Sequence, residues 1–294
     1  MISPRGVRVM HYAFALLASV LLAAEFGFSK KYQLSEGSAP AAVLRFNVIS
    51  GLASAGIMWA FSGFRLEWSG FSFLLASAMG LCCVGYTLLG FHVLKLGGMA
   101  LYSTFLMSGG MVLPYLFGIS FLGEPLTLPR TLGILAMLAA VILSNSRKER
   151  FSGKLLALCA GVFFLNGIVS ILSKCHQITG RYEAVSSAHF VMYSGLCKCF
   201  FCSALLWCKY RPLWNMRKAS SFPVAVGAAL ISAISYLVQL ICAKHLPASV
   251  LYPMITGGSV VFSALAGLLC FRERLSKGQF FGIVLCMIGT LLFI

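Results

Sequence analysis

Long apolar stretches follow one another along the whole of this 294-residue chain. A helix needs about 20 mostly apolar residues to cross the hydrocarbon core of a bilayer. In lipid every backbone polar group needs an internal partner, so apolar stretches of this length are predicted to be helices. We predict ten spans, and the fold class is therefore an all-α integral membrane protein. The predicted spans cover residues 9–29, 40–61, 70–92, 98–119, 128–145, 154–174, 185–207, 221–243, 248–270 and 278–294.

The composition excludes a soluble protein. The chain is 60% hydrophobic and 10% charged, whereas soluble proteins are about 25% charged. Its net charge of +16 is compatible with nucleic-acid binding, but the basic residues lie mostly in short segments between the apolar stretches. That pattern is typical of loops that meet anionic lipid. We therefore predict a multi-pass protein of the cell membrane whose partner is the lipid bilayer and not a nucleic acid.

Sequence motifs argue against an enzyme or an ATP-driven pump. The chain has no H-E-x-x-H, no G-x-S-x-G and no G-x-x-x-x-G-K-[ST] motif. Its 11 cysteines lie mostly within apolar stretches, where free thiols act as small hydrophobic groups. A channel usually carries rings of charged or carbonyl groups, and no such pattern is visible. We predict no catalytic residues, no metal and no cofactor.

The second half of the sequence repeats the first. An offset of 149 residues pairs Lys95 with Lys244, Gly109 with Gly258, Glu124 with Glu273 and Gly133 with Gly282. Earlier in the chain, an offset of 144 residues pairs Ser29-Lys30 with Ser173-Lys174. Each half holds five predicted spans. Because five is odd, the second copy enters the membrane inverted, which is a common construction of secondary transporters. We predict two five-helix repeats, 1–149 and 150–294.

Several short motifs recur in order and in duplicate. They are Arg45-Phe46, Gly123-Glu124-Pro125-Leu126, Gly133-Ile134, Arg272-Glu273-Arg274-Leu275 and Gly282-Ile283. With these motifs the chain resembles the drug/metabolite transporter superfamily, and within it the ten-span proteins built from two EamA-type domains. The resemblance implies a substrate cavity formed by helices one to four and six to nine. It also implies a transporter whose substrates range from amino acids to nucleotide sugars and sugar phosphates.

The predicted function is a secondary active transporter that works by alternating access and exports amino acids or similar small metabolites. The alternative is a nucleotide-sugar or sugar-phosphate antiporter, and a channel or a membrane-embedded enzyme comes after it. The small-molecule substrate and the bilayer are the expected partners of a monomer or homodimer. The side of the termini stays open, because loop charges favour termini outside and the resemblance favours cytoplasmic termini.

Polar side chains within the cavity-forming spans are the candidate substrate ligands. Burying such groups in lipid is costly, so they need a partner or a function. The predicted set is Arg45, Tyr86, Tyr102, Asn166, His189, Tyr236, Gln239 and Tyr252. The alternative for each is a hydrogen bond between helices. Lys198 lies near the middle of the seventh span, and its alternative is snorkelling to the interface.

Glu25 is predicted to couple transport to protons. It is the only acidic residue within a predicted span, and burial disfavours a charged carboxylate. The segment from Ala24-Glu25 to Ser35-Glu36-Gly37 is similar to the first helix of the small multidrug resistance transporters, whose membrane glutamate exchanges protons for substrate. The alternatives are an ion pair with Lys30 or a position close to the end of the span.

The remaining charged residues near span ends are predicted to be structural. Glu124 and Glu273 begin the helices that follow them, where a carboxylate favours the helix dipole. Anchoring at the membrane interface is predicted for His92, Lys95, Lys174, His176, Lys244 and His245.

Overall fold

The fold is described here from a computed structural model, which describes residues 4–37, 39–145, 152–210, 220–270 and 277–293. Within those ranges the regular structure is entirely helical. The helices are α1 Pro4–Glu36, α2 Pro40–Phe61, α3 Gly70–Phe121, α4 Leu128–Asn145, α5 Gly153–Ile178, α6 Ser187–Tyr210, α7 Ser221–His245, α8 Ala248–Cys270 and α9 Lys277–Leu291.

Helix α3 contains two membrane spans rather than one. It is 52 residues long, and Gly90 nevertheless lies against the ring of Tyr102. In a straight helix these two residues would be about 18 Å apart, so the chain reverses between them. We call Gly70–Val93 the first arm and Leu101–Phe121 the second arm of α3. The reversal falls in the segment that contains Gly97-Gly98, where the fourth predicted span begins.

The ten predicted apolar segments all occur as helices in the described part of the chain. Eight are long and apolar enough to cross a membrane, and the two shorter ones are Leu128–Leu143 and Lys277–Leu291. The predicted all-α integral membrane fold is therefore confirmed. The boundary at 149/150 between the predicted repeats lies outside the described residues, as do Arg272, Glu273, Arg274 and Leu275.

Helix α1 extends further than predicted. The expected end was residue 29, but the helix continues to Glu36, and Gly37 ends it with a φ of 86°. Helix α2 then begins with Pro40 in its first turn, a position that suits proline because its missing N–H is not needed there. Glu25 consequently lies near the middle of the Met10–Glu36 span rather than near its end. Glu36 is also helical and only 1% exposed, so the expectation of a single acid within the spans was wrong.

Helices α2 and α6 cross in opposite directions at a pair of glycines. A Cβ atom on Gly51 would lie 2.6 Å from the carbonyl oxygen of Gly195, and one on Gly195 would lie 2.7 Å from that of Gly51. Gly51 also faces Cys199, which follows Gly195 along α6, whereas Gly195 also faces Ala55, which follows Gly51 along α2. This succession defines an antiparallel crossing. It is close because neither glycine carries a side chain.

Three further sets of contacts build the rest of the bundle. Helix α1 packs against α7 and α8, while α5 packs against α3. Gly258 of α8 lies against Ser19 of α1, and Gly109 of the second arm of α3 lies against the backbone of Phe163 in α5. Helices α4 and α9 pack together at the flank of the bundle. The interior between these elements is where the polar side chains meet.

Candidate functional site

Two opposite charges lie in the middle of the bundle, on different helices. Lys198 is at the centre of α6 and donates from Nζ to Ser50 Oγ of α2 at 3.2 Å. Glu25 of α1 lies close enough to Ser232 of α7 and to Lys198 to interact with both electrostatically. Among the described ion pairs none joins Glu25 to Lys198 within 4.0 Å. We call these four residues the charged centre.

Cysteine and tyrosine side chains adjoin the charged centre. Tyr86, on the first arm of α3, donates its hydroxyl to Cys83 Sγ at 3.5 Å. Tyr86 lies within electrostatic range of Glu25 and Tyr102, and Cys83 lies within range of Lys198. Tyr86 and Tyr102 also pack against one cluster with α5. The two arms of α3 therefore bring the two predicted tyrosines together, and Tyr86 is the one within range of Glu25.

Tyr236 links α7 to α5 on another side of the interior. Its hydroxyl lies 2.8 Å from Ser173 Oγ, and Ser173 itself donates to the carbonyl oxygen of Val169 at 2.9 Å. The serine proton is thereby used, so Tyr236 donates to Ser173. Tyr236 also lies close to Met79 Sδ, at 3.8 Å. This predicted ligand is held between helices and belongs to the interior of the bundle.

Three other predicted ligands lie at helix contacts. Asn166 donates from Nδ2 to the carbonyl oxygen of Leu106 at 2.7 Å, which ties α5 to the second arm of α3. Tyr252 is 2% exposed, in the second turn of α8, and Gln239 of α7 is its polar neighbour. Asn166 uses its amide in the way expected of a hydrogen bond between helices.

Arg45 and His189 do not lie together. Arg45 Nη2 pairs with Glu36 Oε2 at 3.3 Å, and both side chains are buried. His189 contacts Ser186 Oγ at 2.7 Å and the carbonyl oxygen of Arg65 at 3.0 Å. Arg45 precedes Gly51 in α2, and His189 precedes Gly195 in α6, in each case by fewer than two helical turns. Because α2 and α6 are antiparallel, Arg45 and His189 lie on opposite sides of the crossing, and the structure does not bring them to one cavity.

A second pair of charges surrounds the connection between α7 and α8. Lys174 Nζ donates to the carbonyl oxygens of Ala243 and Leu246, both at 2.7 Å. The carboxylate of Glu124 accepts from the backbone N–H groups of Ala248 at 2.6 Å and Ser249 at 2.7 Å. We call Lys174 and Glu124 the clasp. Lys174 caps the last turn of α7, and Glu124 caps the first turn of α8.

The structure corrects two expectations about charged residues near the ends of spans. Lys174 and His176, both predicted to anchor the chain at the membrane interface, are buried, with exposures of 5% and 2%. His176 forms a hydrogen bond with Ser72 Oγ at 2.9 Å. Glu124 is structural, as expected, but it caps α8 rather than the helix that follows it. A sequence signal for Lys174 was present, because Ser173-Lys174 repeats Ser29-Lys30. Ser50 carried the same kind of signal, because Ser50-Gly51-Leu52 repeats Ser194-Gly195-Leu196, whereas no repeat singled out Ser232.

Comparison with known proteins agrees with this architecture. Residues 151–294 match the family model described as "EamA-like transporter family". No curated protein matches the chain significantly. Of 29 matching chains of solved structures, one titled "Crystal structure of protein" superposes with a TM-score of 0.77 at 16% identity, over 97% of each chain. That likeness shows the fold alone. The protein is therefore a multi-pass membrane protein whose residues 151–294 match the EamA-like transporter family, and this match supports a membrane transporter of small substrates.

Proposed function

We propose that the protein is a secondary active transporter of the cell membrane that exports amino acids or similar small metabolites by alternating access. The observation that carries this proposal is the charged centre, where a carboxylate and an ammonium group within the membrane spans interact electrostatically without forming a direct ion pair. A purely structural pair would be expected to meet directly, because burying separated charges in a membrane protein is costly. Substrate is taken to bind between Glu25 and Lys198, with Tyr86, Tyr102 and Tyr236 as further contacts.

Two inverted five-helix halves, 1–149 and 150–294, supply the moving parts in this proposal. The glycine contacts support it. Gly51 and Gly195, which are equivalent under the 144-residue offset, contact each other. Gly109 contacts Phe163, and Gly258 contacts Ser19. Under the offsets of 149 and 144 residues, these last two contacts are also equivalent. Rocking of the halves about the α2–α6 crossing exposes the charged centre to one side and then to the other.

Glu25 is proposed to couple this cycle to protons. A membrane carboxylate is stable when it is neutralised by a proton or paired with a cation. If substrate and proton compete for Glu25, one must leave before the other binds, and their movements become linked. The position near the middle of α1 supports this role.

The alternative, a nucleotide-sugar or sugar-phosphate antiporter, is less well supported. A phosphate group favours several converging cations. Within the described residues, Arg45 is paired with Glu36 and Lys174 is bonded to backbone carbonyls. Lys198 is thus the cation that the charged centre offers, and a single carboxylate suits one ammonium group better than a phosphate does.

Transport in proteoliposomes tests the proposal. Cells that overproduce the protein are first compared with deleted cells to find the metabolites it exports. The purified protein is then expected to exchange those metabolites saturably and to accumulate them under an imposed pH gradient. Glu25→Gln should abolish accumulation while exchange down the solute gradient persists. Glu183→Gln is the matched control, because Glu183 lies in an exposed loop. Unimpaired accumulation by Glu25→Gln would show that another group couples the proton.

A further inference from the structure

One end of the bundle carries exposed lysines, whereas the other end is mixed in charge. We propose that the first of these ends faces the cytoplasm and binds the anionic phospholipids of the cytoplasmic leaflet, so that the start of α1 and the end of α9 lie on the opposite side of the membrane. We call it the lysine end, defined by the exposed side chains of Lys31, Lys154, Lys209 and Lys277. This lipid-binding surface is separate from the charged centre and does not depend on which substrate the protein transports.

The directions of α1, α5 and α7 place the first two lysines at the same end. Lys31 lies in the last two turns of α1, and Ser35 near it contacts Ser221 at the start of α7, with 3.0 Å between the hydroxyl oxygens. Lys174 joins the ends of α5 and α7. Helix α5 therefore begins where α7 begins, and Lys154 lies in its first turn.

Lys209 and Lys277 belong to this end as well. Helix α6 is antiparallel to α2, which begins where α1 ends, so Lys209 in the last turn of α6 is at the lysine end. Helix α4 follows Glu124 of the clasp, which lies where α7 ends, and α4 therefore ends at the lysine end. A Cβ atom on Gly278 would lie 2.9 Å from the carbonyl oxygen of Leu143, near the end of α4. This contact brings the start of α9, with Lys277, to the same end.

The segments that join helices at the lysine end are also basic in sequence. Those between α4 and α5, between α6 and α7, and between α8 and α9 lie outside the described residues. They contribute Arg147, Lys148, Arg150, Arg211, Arg217, Lys218, Arg272 and Arg274, against the acids Glu149 and Glu273. The positive charge of the described lysines is thus reinforced by the neighbouring chain.

The opposite end has no such excess of positive charge. Among the described residues, the exposed charged side chains there are Arg65, Arg181, Lys244, Glu67 and Glu183. The half-buried Arg130 lies at this end too, together with Arg5 and Arg8 near the start of α1. Lys174 of the clasp is also there, but it is buried and bonded to backbone carbonyls. Most of the net charge of +16 therefore falls at the lysine end.

A negative membrane surface is the partner that fits this asymmetry. Connections rich in lysine and arginine stay on the cytoplasmic side of a membrane, and the cytoplasmic leaflet carries anionic lipids. Lys154 also needs a partner outside its helix, because a cation in the first turn opposes the helix dipole. Ser152 already caps α5 by accepting from the backbone N–H of Leu155 at 3.2 Å. Helix stability does not account for Lys154, whereas a layer of lipid phosphates does.

Cysteine labelling in sealed vesicles whose cytoplasmic face is outside tests the orientation. Ser220→Cys, at the exposed residue before α7, marks the lysine end. Gly180→Cys marks the opposite end, at an exposed position where an added Cβ meets nothing within 4 Å. Neither substitution changes a charge, and the wild-type protein gives the background from native cysteines.

A membrane-impermeant maleimide should label Ser220→Cys in the sealed vesicles and Gly180→Cys only after detergent is added. Labelling of Gly180→Cys in sealed vesicles overturns the proposed orientation, and so does a Ser220→Cys variant that is labelled only after detergent.

Lipid titration of the purified protein in a non-ionic detergent tests the partner. Dioleoylphosphatidylglycerol should raise the melting temperature more than dioleoylphosphatidylcholine does, because a ligand of the folded state stabilises it. Potassium chloride at about 1 M should remove the difference by screening the charges. Inorganic phosphate alone should produce no rise. Equal effects of the two lipids, or an equal rise with inorganic phosphate, overturn the assignment of anionic lipid as the partner.

Two double variants locate the lipid-binding surface. Lys31→Gln/Lys154→Gln should raise the apparent Kd for dioleoylphosphatidylglycerol at least about fivefold, because each lysine near a membrane surface contributes to the attraction. Arg181→Gln/Lys244→Gln is the matched control, since it removes the same charge from exposed positions at the opposite end, and it should change this Kd less than about twofold. An equal loss of affinity in both variants would show that net charge, and not the lysine end, governs lipid binding.

Discussion

The clasp and the charged centre each combine a lysine with a glutamate, but their charges are used differently. In the clasp, Lys174 donates to two backbone carbonyls and Glu124 accepts from two backbone N–H groups. In the charged centre, Lys198 donates to a serine hydroxyl, Glu25 interacts electrostatically with another serine, and the two charges form no direct ion pair. The same residue types are thus satisfied by the protein at one place and left available for a further partner at the other.

The hydrogen bonding of a buried charge therefore distinguishes a structural residue from a functional one better than its degree of burial does. A buried charge that is fully hydrogen-bonded fixes the elements it joins, and its removal leaves backbone groups without partners. A charge with spare hydrogen-bonding capacity contributes little to stability and offers a binding energy to a ligand. We therefore expect substitutions in the clasp to damage folding first, and substitutions in the charged centre to damage transport first.

Removal of the lysine of the clasp should have the largest effect on stability. Lys174→Met deletes two charge-assisted hydrogen bonds to the end of α7 and should lower the free energy of unfolding by roughly 3 kcal/mol. Thermal unfolding followed by fluorescence-detected size-exclusion chromatography would measure the loss. Lys154→Met is the control, because Lys154 is exposed in the first turn of the same helix, and it should change stability by less than about 0.5 kcal/mol. Equal stability of the two variants would show that the hydrogen bonds of Lys174 do not stabilise the fold.

The α2–α6 crossing should show an intermediate effect. Gly51→Ala places a Cβ atom 2.6 Å from a backbone oxygen of α6, so the helices must separate, at a cost of about 1–3 kcal/mol. The separation also draws Ser50 away from Lys198 and should weaken substrate binding. In Gly56→Ala, on the same helix, the added Cβ meets nothing within 4 Å, and the gain in helix propensity should stabilise by about 0.5–1 kcal/mol. The two alanine variants should therefore differ in the sign of the change in melting temperature.

The charged centre should show the smallest change in stability. Glu25→Gln removes a charge without a direct ion-pair partner and keeps an oxygen for Ser232, so the free energy of unfolding should change by less than about 1 kcal/mol. The same thermal assay applies, with the Lys174→Met variant measured beside it. A loss for Glu25→Gln as large as that for Lys174→Met would mean that Glu25 is a structural residue like the clasp.

The sequence predicted the helices well because their cause is local. Apolar length alone fixes where a chain can cross a bilayer, and the predicted starts at residues 40 and 70 coincide with those of α2 and α3. The reversal within α3 was also expected, at Gly97-Gly98. The end of α1 was placed too early, because Lys30, Lys31 and Gln33 read as a loop although they continue the helix to Glu36. That error placed Glu25 near the end of its span.

The sequence by itself determined the class of the protein, the number of apolar segments and the set of polar residues within them. Only the tertiary structure decided which of those residues meet. Arg45 and His189 are equivalent in the repeat, yet they lie on opposite sides of the α2–α6 crossing, because an inverted copy runs in the other direction. Lys174 and Lys198 look alike in sequence, yet one is bonded to backbone carbonyls and the other lies opposite Glu25. The physical reason is that a side chain's partners depend on how its helix is rotated and which helix packs against it, and these follow from contacts distant in sequence.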